Sequence, residues 1–243
     1  VNVQRIERFF ADLPVLLPVI HVVSPGQGLR NARVAQENSA DGIFLISHGY
    51  LKYRELIELS RLVKAELPDL WVGANFLDLG PDPVLAMEKA LTTDLDGLWT
   101  DNSRVVEGES TQTIPQQVLD QLRASGSDML YFSGASFKYV YPQSNNDATA
   151  AALAERYMDV VLTSGPGTGR PASPGKTRAM KAAMHSGKPL GLASGVTVEN
   201  AATYDGVDIF LVATGLLLEG GDDFDPDKVR HLADVIHSLR SAD

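Results

Sequence analysis

Eight short apolar runs at even spacing, alternating with amphipathic segments, predict an α/β chain that closes into a (β/α)8 barrel of the TIM type. Three glycine-bearing turns late in the chain strengthen that assignment: Ser164-Gly165-Pro166-Gly167-Thr168-Gly169, Ser194-Gly195-Val196-Thr197 and Ala213-Thr214-Gly215 each follow such a run. A length of 243 residues, 44% of them hydrophobic, suffices for the core of one barrel, so residues 1–243 read as a single domain.

The elements follow in order. Residues 3–13 place Ile6, Phe9, Phe10 and Leu13 on one side of a short helix, which suits a plug closing the barrel floor. The strand candidates are 16–23, 42–47, 70–77, 95–100, 128–133, 159–164, 189–194 and 208–213. Near-continuous apolar strands of this kind imply a parallel sheet buried on both faces. Between them, apolar residues recur at helical spacing, as in Leu51, Leu56, Ile57, Leu59, Leu62 and Val63, or Val118, Leu119 and Leu122. Each intervening segment is accordingly a helix candidate. Ala40-Asp41-Gly42, Leu95-Asp96-Gly97, Gly126-Ser127-Asp128 and Gly206-Val207-Asp208 precede strands, where a helix must stop; their acids read as structural turn formers on the bottom face. An open doubly wound sheet shares the alternation and is the runner-up.

Composition removes several function classes. A net charge of -10 and a pI near 4.9 argue against a nucleic-acid or anionic-membrane surface, so an anionic ligand must be held by local groups. No apolar stretch reaches the roughly 20 residues of a membrane span, and residues 13–23 are proline-interrupted and lack a signal-peptide cleavage pattern. The absence of cysteine excludes disulfides, thiolate nucleophiles and cysteine zinc sites, and suits a cytoplasmic protein.

Two apparent nucleotide motifs fail. Between Gly169 and Gly175-Lys176-Thr177 lie five residues where a P-loop needs four, and Pro171 and Pro174 remove amide donors. Pro174 fits the first turn of a helix instead. Gly26-Gln27-Gly28-Leu29-Arg30-Asn31 lacks the third glycine of a dinucleotide loop.

The late turns carry more coherent chemistry. Loops after the last strands of such barrels, with a short helix start, commonly hold phosphate. The candidate phosphate-binding residues are Ser164, Gly165, Gly167, Ser194, Gly195, Thr214 and Gly215. Gly195 would let the backbone approach a ligand, Thr197 would cap a short helix, and Gly215 would offer a neighbouring amide. A tight turn and an ordinary cap explain the same residues without a ligand.

Barrel enzymes place reacting groups at strand C-terminal ends, which selects His21, His48, Asn75, Asp78, Asp101, Ser133, Lys138 and Thr163. The catalytic candidates among them are His48, Asp101, Lys138 and His21. His21 reads equally as a satisfied interior histidine, Asp101 and Asn102 as loop caps, and Lys138 as a surface lysine. Lys138 would also be able to pair with a phosphate or, if desolvated, to form a Schiff base. His48, Asp78 and Asp101 would be able to converge, yet no HxH, HExxH or DxD spacing supports a metal site, and no cofactor is named by any motif. Residues 139–147 read as a lid or a loop.

Several stretches also resemble the BtpA/SgcQ family of barrel proteins. The likeness begins with Pro18-Val19-Ile20-His21-Val22, Pro25-Gly26 and residues 31–43, and returns in 161–169, 193–200 and 210–215. It implies a (β/α)8 fold with a phosphate-type pocket, in a family linked to photosystem I biogenesis and to sugar or nucleoside metabolism. Two departures stand out. Phe132-Ser133-Gly134-Ala135-Ser136-Phe137-Lys138 keeps a lysine but lacks the family's acid, and Leu216-Leu217-Leu218 replaces the lysine expected after strand eight. A phosphate would then lean on backbone donors.

The expected function is an enzyme acting on a small phosphorylated sugar or ribose phosphate by isomerisation, lysis or glycosidic transfer. The alternatives are phosphoribosyltransferase or nucleosidase-type chemistry, and a non-catalytic assembly or regulatory factor. The expected partner is a small phosphorylated ligand, with no nucleic acid and no membrane; homo-oligomer formation is left open.

Overall fold

The computed structural model describes residues 3–47, 51–140 and 144–240. Its strands are β1 (Val15–Val22), β2 (Ile43–Ser47), β3 (Val72–Asn75), β4 (Gly97–Thr100), β5 (Leu130–Gly134), β6 (Val160–Thr163), β7 (Leu190–Leu192) and β8 (Ile209–Val212). They pair in parallel in sequence order, and β8 returns to β1 with Val15 opposite Ile209 and Pro18 opposite Val212. That last pairing closes the barrel and excludes the open sheet.

The helices are α1 (Pro25–Glu37), α2 (Tyr53–Glu66), α3 (Pro83–Ala90), α4 (Thr113–Ser125), α5 (Asp147–Ala154), α6 (Pro174–Ala183) and α7 (Pro226–His237). Four of them start alike. Ser24, Asp82, Ser173 and Asp225 cap free amides with a side-chain oxygen, and Pro25, Pro83, Pro174 and Pro226 follow with a preset φ and no amide to satisfy. The segment between β7 and β8 departs from the expected helix and forms only a 3-10 turn, Ala201–Thr203. The Asn200 side chain is the reason: its Oδ1 accepts from Thr197 N at 2.8 Å and its Nδ2 donates to Gly195 O at 2.8 Å, fixing a side-chain turn where a helix would begin.

Alternation along the strands divides the core into two layers. Val15, Leu17, Val19, Phe44, Ile46, Trp71, Trp99, Phe132, Leu162 and Leu211 pack inside the barrel; Leu16, Ile20, Leu45, Tyr131 and Phe210 pack outward beneath the helices. Phe44 sits at the centre, edge-on to Trp71 at 5.2 Å, Trp99 at 5.6 Å and Phe132 at 5.1 Å. Gly73 and Gly97 make room for it, because a Cβ at either would run into Phe44 or Trp71.

The floor plug is a 3-10 helix over Val3–Arg8, shorter than the 3–13 helix expected. Ile6 and Phe10 are buried in the interior cluster, Phe9 and Leu13 pack against it, and the Phe10 ring lies 5.4 Å from Trp71. Around it runs a rim of carboxylates. Asp41 Oδ2 accepts from Leu16 N at 2.8 Å, Asp96 Oδ2 from Val72 N at 2.8 Å, and Asp208 Oδ2 from Leu190 N at 2.7 Å. Each also meets a cation: Asp41 Arg240 at 2.6 Å, Asp96 Lys64 at 2.7 Å, and Asp208 Lys181 at 2.6 Å. Asp159 accepts from Tyr131 N in the same way, with Arg5 of the plug 3.3 Å from it. Asp128 differs, lying exposed against Arg8.

Candidate functional site

The same alternation decides which strand-end residues can reach the barrel mouth. His21, Asn75 and Asp101 continue the inward series of β1, β3 and β4, and all line a cavity of about 300 Å³ there. Ser133 and Thr163 fall on the outward series. Ser133 is buried in a hydroxyl network with Thr100 at 2.7 Å, and Thr163 donates to Ser136 O at 3.2 Å.

Asp101 and Lys138 face this cavity together. Asn75 Nδ2 donates to Asp101 Oδ1 at 3.0 Å, which orients the carboxylate. Burial pushes the Asp101 carboxyl above its ordinary value, against the opposing pull of the Asn75 bond and the Lys138 charge. Lys138 lies in the loop after β5, anchored by its own amide to Ser164 Oγ at 2.7 Å. Its Nζ donates to Ala193 O at 3.3 Å and sits 5.6 Å from the centre of the Phe137 ring. Burial pushes this ammonium below its ordinary value, with the negative charge of Asp101 opposing. Among the described residues, no carboxylate makes an ion pair with Lys138. A second cavity of about 410 Å³ shares Asn75, Trp99, Asp101 and Lys138, and runs on over Phe76 and Pro81. The acid and the amine therefore stand where two lobes meet.

The remaining candidates are distributed as follows. His48 lies outside the described residues. Asp78 is occupied, accepting from Ser47 Oγ at 2.9 Å and Tyr53 N at 3.1 Å, and so ties the end of β2 to the start of α2. Asn102 caps the loop after β4 by accepting from Arg104 N at 2.9 Å, which leaves Asp101 outside that role. Among the described residues, no group of three or more His, Asp or Glu would hold a metal ion, and no helix is long and apolar enough to cross a membrane.

Of the phosphate candidates, Ser194, Gly195 and Thr214 line the cavity, joined by Thr168 and Gly169. Among the described residues, the amides of Gly195 and Thr214 donate to no protein acceptor. Ser164, Gly165, Gly167 and Gly215 serve the loops themselves. Ser164 Oγ receives Lys138 N and donates to Gly165 O at 3.0 Å, and Gly167 O accepts from Ser194 Oγ at 3.2 Å. Gly165 allows the loop to fold back on Arg170, and a Cβ on Gly215 would stand 2.6 Å from Val196 O. Gly195 has φ 63°, and a Cβ there would run into Pro171 N, so loop packing alone already demands glycine. Thr197 spends its amide on Asn200 and points no donor at a ligand.

The lid expected over 139–147 resolves into two parts around Tyr141, Pro142 and Gln143, which lie outside the described residues. Tyr139 spans the cavity edge, its hydroxyl accepting from Thr168 N at 3.2 Å, whereas Asn146 caps α5 by accepting from Thr149 N at 3.0 Å. Trp99 and Ala193, which also line the cavity, were not among the sequence candidates. Trp99 was within reach, since it precedes Asp101 by two in the same strand direction. Ala193 carried no local signal for a role at the mouth.

No protein-family model and no curated protein matches the sequence. Solved structures do share the fold. Geranylgeranylglyceryl phosphate synthase from Thermoplasma acidophilum, in complex with sn-glycerol-1-phosphate, superposes with a TM-score of 0.67 at 17% identity over 98% of each chain. 3-Hexulose-6-phosphate synthase gives 0.65 at 17% identity, covering 91% of this chain and 99% of that one. KGPDC from Streptococcus mutans in complex with D-R5P gives 0.67 at 11% identity, covering 93% and 98%. At these identities the likeness establishes the barrel alone.

Chemically, the described residues of the mouth bring an acid, Asp101, an amine, Lys138, and the amides of Gly195 and Thr214 around a common space. A carboxyl raised by burial is able to donate as well as accept a proton, and an ammonium lowered by burial is more readily a neutral amine.

Proposed function

We propose that the chain is an enzyme of small phosphorylated metabolites, a sugar phosphate or ribose phosphate, bound across the barrel mouth. The phosphoryl group is held at Gly195 and Thr214, and the reacting carbon lies against Asp101 and Lys138. The observation that carries this reading is the shared cavity: amides of Gly195 and Thr214 without protein acceptors border the same space as a buried acid and a buried amine. Backbone amides suit an anion in a chain of net charge -10, because they supply positive potential without a surface basic patch. The motif likeness to BtpA/SgcQ-type barrels fits this reading, as do fold neighbours named for phosphorylated substrates. Asp101 serves as the acid-base group, with Asn75 setting its orientation and His21 lining the same wall.

The test is thermal unfolding with free phosphate, sugar phosphates and nucleotides, with and without magnesium. A ligand that binds the folded chain raises the midpoint. Thr214→Glu, an exposed position, should abolish the shift and leave the unliganded midpoint unchanged. Replacing Gly195 would not serve, since its φ and its contact with Pro171 make any side chain there a folding defect. No shift with any phosphorylated compound overturns the proposal.

A further inference from the structure

We propose that Lys138 is an imine-forming lysine whose Nζ condenses with the carbonyl carbon of a small ketone or aldehyde in the mouth cavity. The inference deepens the reading above by naming the substrate class, and it rests on that reading only for the phosphate on the carbonyl compound.

Comparison among the lysines singles this one out. Lys64 is committed to Asp96 at 2.7 Å and Lys181 to Asp208 at 2.6 Å. Lys188 is buried, but its Nζ is bound by Glu155 O and Met158 O. Lys176 is held by Ser136 O at 2.8 Å and Ser164 O at 3.1 Å, with Asp147 at 3.9 Å. Burial lowers the ammonium of Lys176 and Lys188 as well, so desolvation by itself does not choose among them. Lys138 joins partial burial to a cavity wall and a single long bond, 3.3 Å to Ala193 O. It is the amine that can leave its partner and meet a ligand.

The condensation balances with the groups present. The Nζ lone pair adds to the carbonyl carbon, and after proton exchange through Asp101 a neutral carbinolamine forms. Asp101 then protonates the carbinolamine hydroxyl, which departs as water; nitrogen keeps one hydrogen in the protonated imine and Asp101 is left as carboxylate. The new cation and the new anion face each other across the cavity, replacing the two neutral groups that entered the step. Hydrolysis runs the same steps backwards.

The experiment uses the whole protein with hydroxyacetone or dihydroxyacetone phosphate, reduction by sodium borohydride, and mass mapping of the peptides. One adduct per chain is expected, at Lys138, and none in Lys138→Arg, which keeps the charge but cannot condense. Labelling at Lys138 should also reach half its maximum at lower pH than that of a lysine in a short unfolded peptide treated in the same way. If the phosphate reading holds, dihydroxyacetone phosphate should label at roughly tenfold lower concentration. Equal labelling of Lys138 by both compounds would defeat the phosphate assignment and leave the imine intact. Label spread over surface lysines, or no label with either compound while Lys138→Arg keeps the parent's unfolding midpoint, overturns the imine proposal itself.

Discussion

The two ends of the barrel use the same residue types in opposite ways. At the floor, Asp41, Asp96 and Asp208 each accept an amide of the neighbouring strand and touch a cation within 2.7 Å. At the mouth, among the described residues, Asp101 is hydrogen-bonded by Asn75 alone and Lys138 by one carbonyl, and burial disfavours the charge on both. The floor groups complete one another. The mouth groups are left with capacity that a ligand would use. A carboxylate that satisfies a backbone amide adds stability beyond the small worth of a surface ion pair, whereas a buried acid without a close cation costs stability.

The largest expected effect is at the floor. Asp41→Ala removes the acceptor of Leu16 N and strands both Arg240 and His237, which lies 2.9 Å from the carboxylate. The loss should be about 3 kcal/mol in urea unfolding, since hydrogen bonds to charged groups contribute roughly 1.5–3 kcal/mol each. A loss under about 1 kcal/mol would show that the rim is decoration and would break the comparison.

Next comes a pair of glycines. Gly195 and Gly220 share a left-handed backbone, φ 63° and 71°, but a Cβ on Gly220 meets nothing within 4 Å. Gly220→Ala should therefore cost only the backbone strain, about 1 kcal/mol. Gly195→Ala must also displace the loop at Pro171, and should cost about 1 kcal/mol more. Equal losses at the two positions would mean that the loop after β6 yields freely, and that the mouth is less rigid than the floor.

How much of this was legible in the sequence depended on range. Strands and helices were readable because short near-continuous apolar runs, apolar residues at helical spacing and a first-turn proline such as Pro174 are local signals. The missing helix before β8 was not, because one side chain, Asn200, decides it. Gly73 and Gly97 make sense only once Phe44 and Trp71 occupy the barrel. The structural reading of Asp41, Asp96 and Asp208 was sound, yet their amide partners lie on neighbouring strands that sequence spacing does not reveal. At the mouth, strand-end position brought His21, Asn75 and Asp101 to the cavity wall but also selected Ser133 and Thr163, which face outward; the glycine-turn pattern brought Ser194 there. The same turn pattern also offered Ser164 and Gly165, which do not line the cavity, since the fold-back of their loop on Arg170 is a tertiary contact, as is the Lys138 bond to Ala193.

The smallest expected effect has the opposite sign from the floor. Because burial raises the Asp101 carboxyl above its unfolded value, the ionised form weighs against folding, and stability is lost as pH rises through the raised value. Asp101→Asn keeps an oxygen for Asn75 and removes the charge, so the variant should exceed the parent by about 1 kcal/mol above that value and match it in acid. Lys138→Met should also stabilise, but in the mirror range: the lowered ammonium costs stability while protonated, and the cost fades as pH rises through its folded value. Each charge holds the other's ionised form in place, so removing one deepens the shift of its neighbour. The two gains should then fail to add, with a coupling of roughly 0.5–1 kcal/mol in a double-mutant cycle read by urea unfolding across pH. Strict additivity would mean that the acid and the amine do not sense one another across the cavity, and the proton exchange that imine formation requires would lose its physical basis.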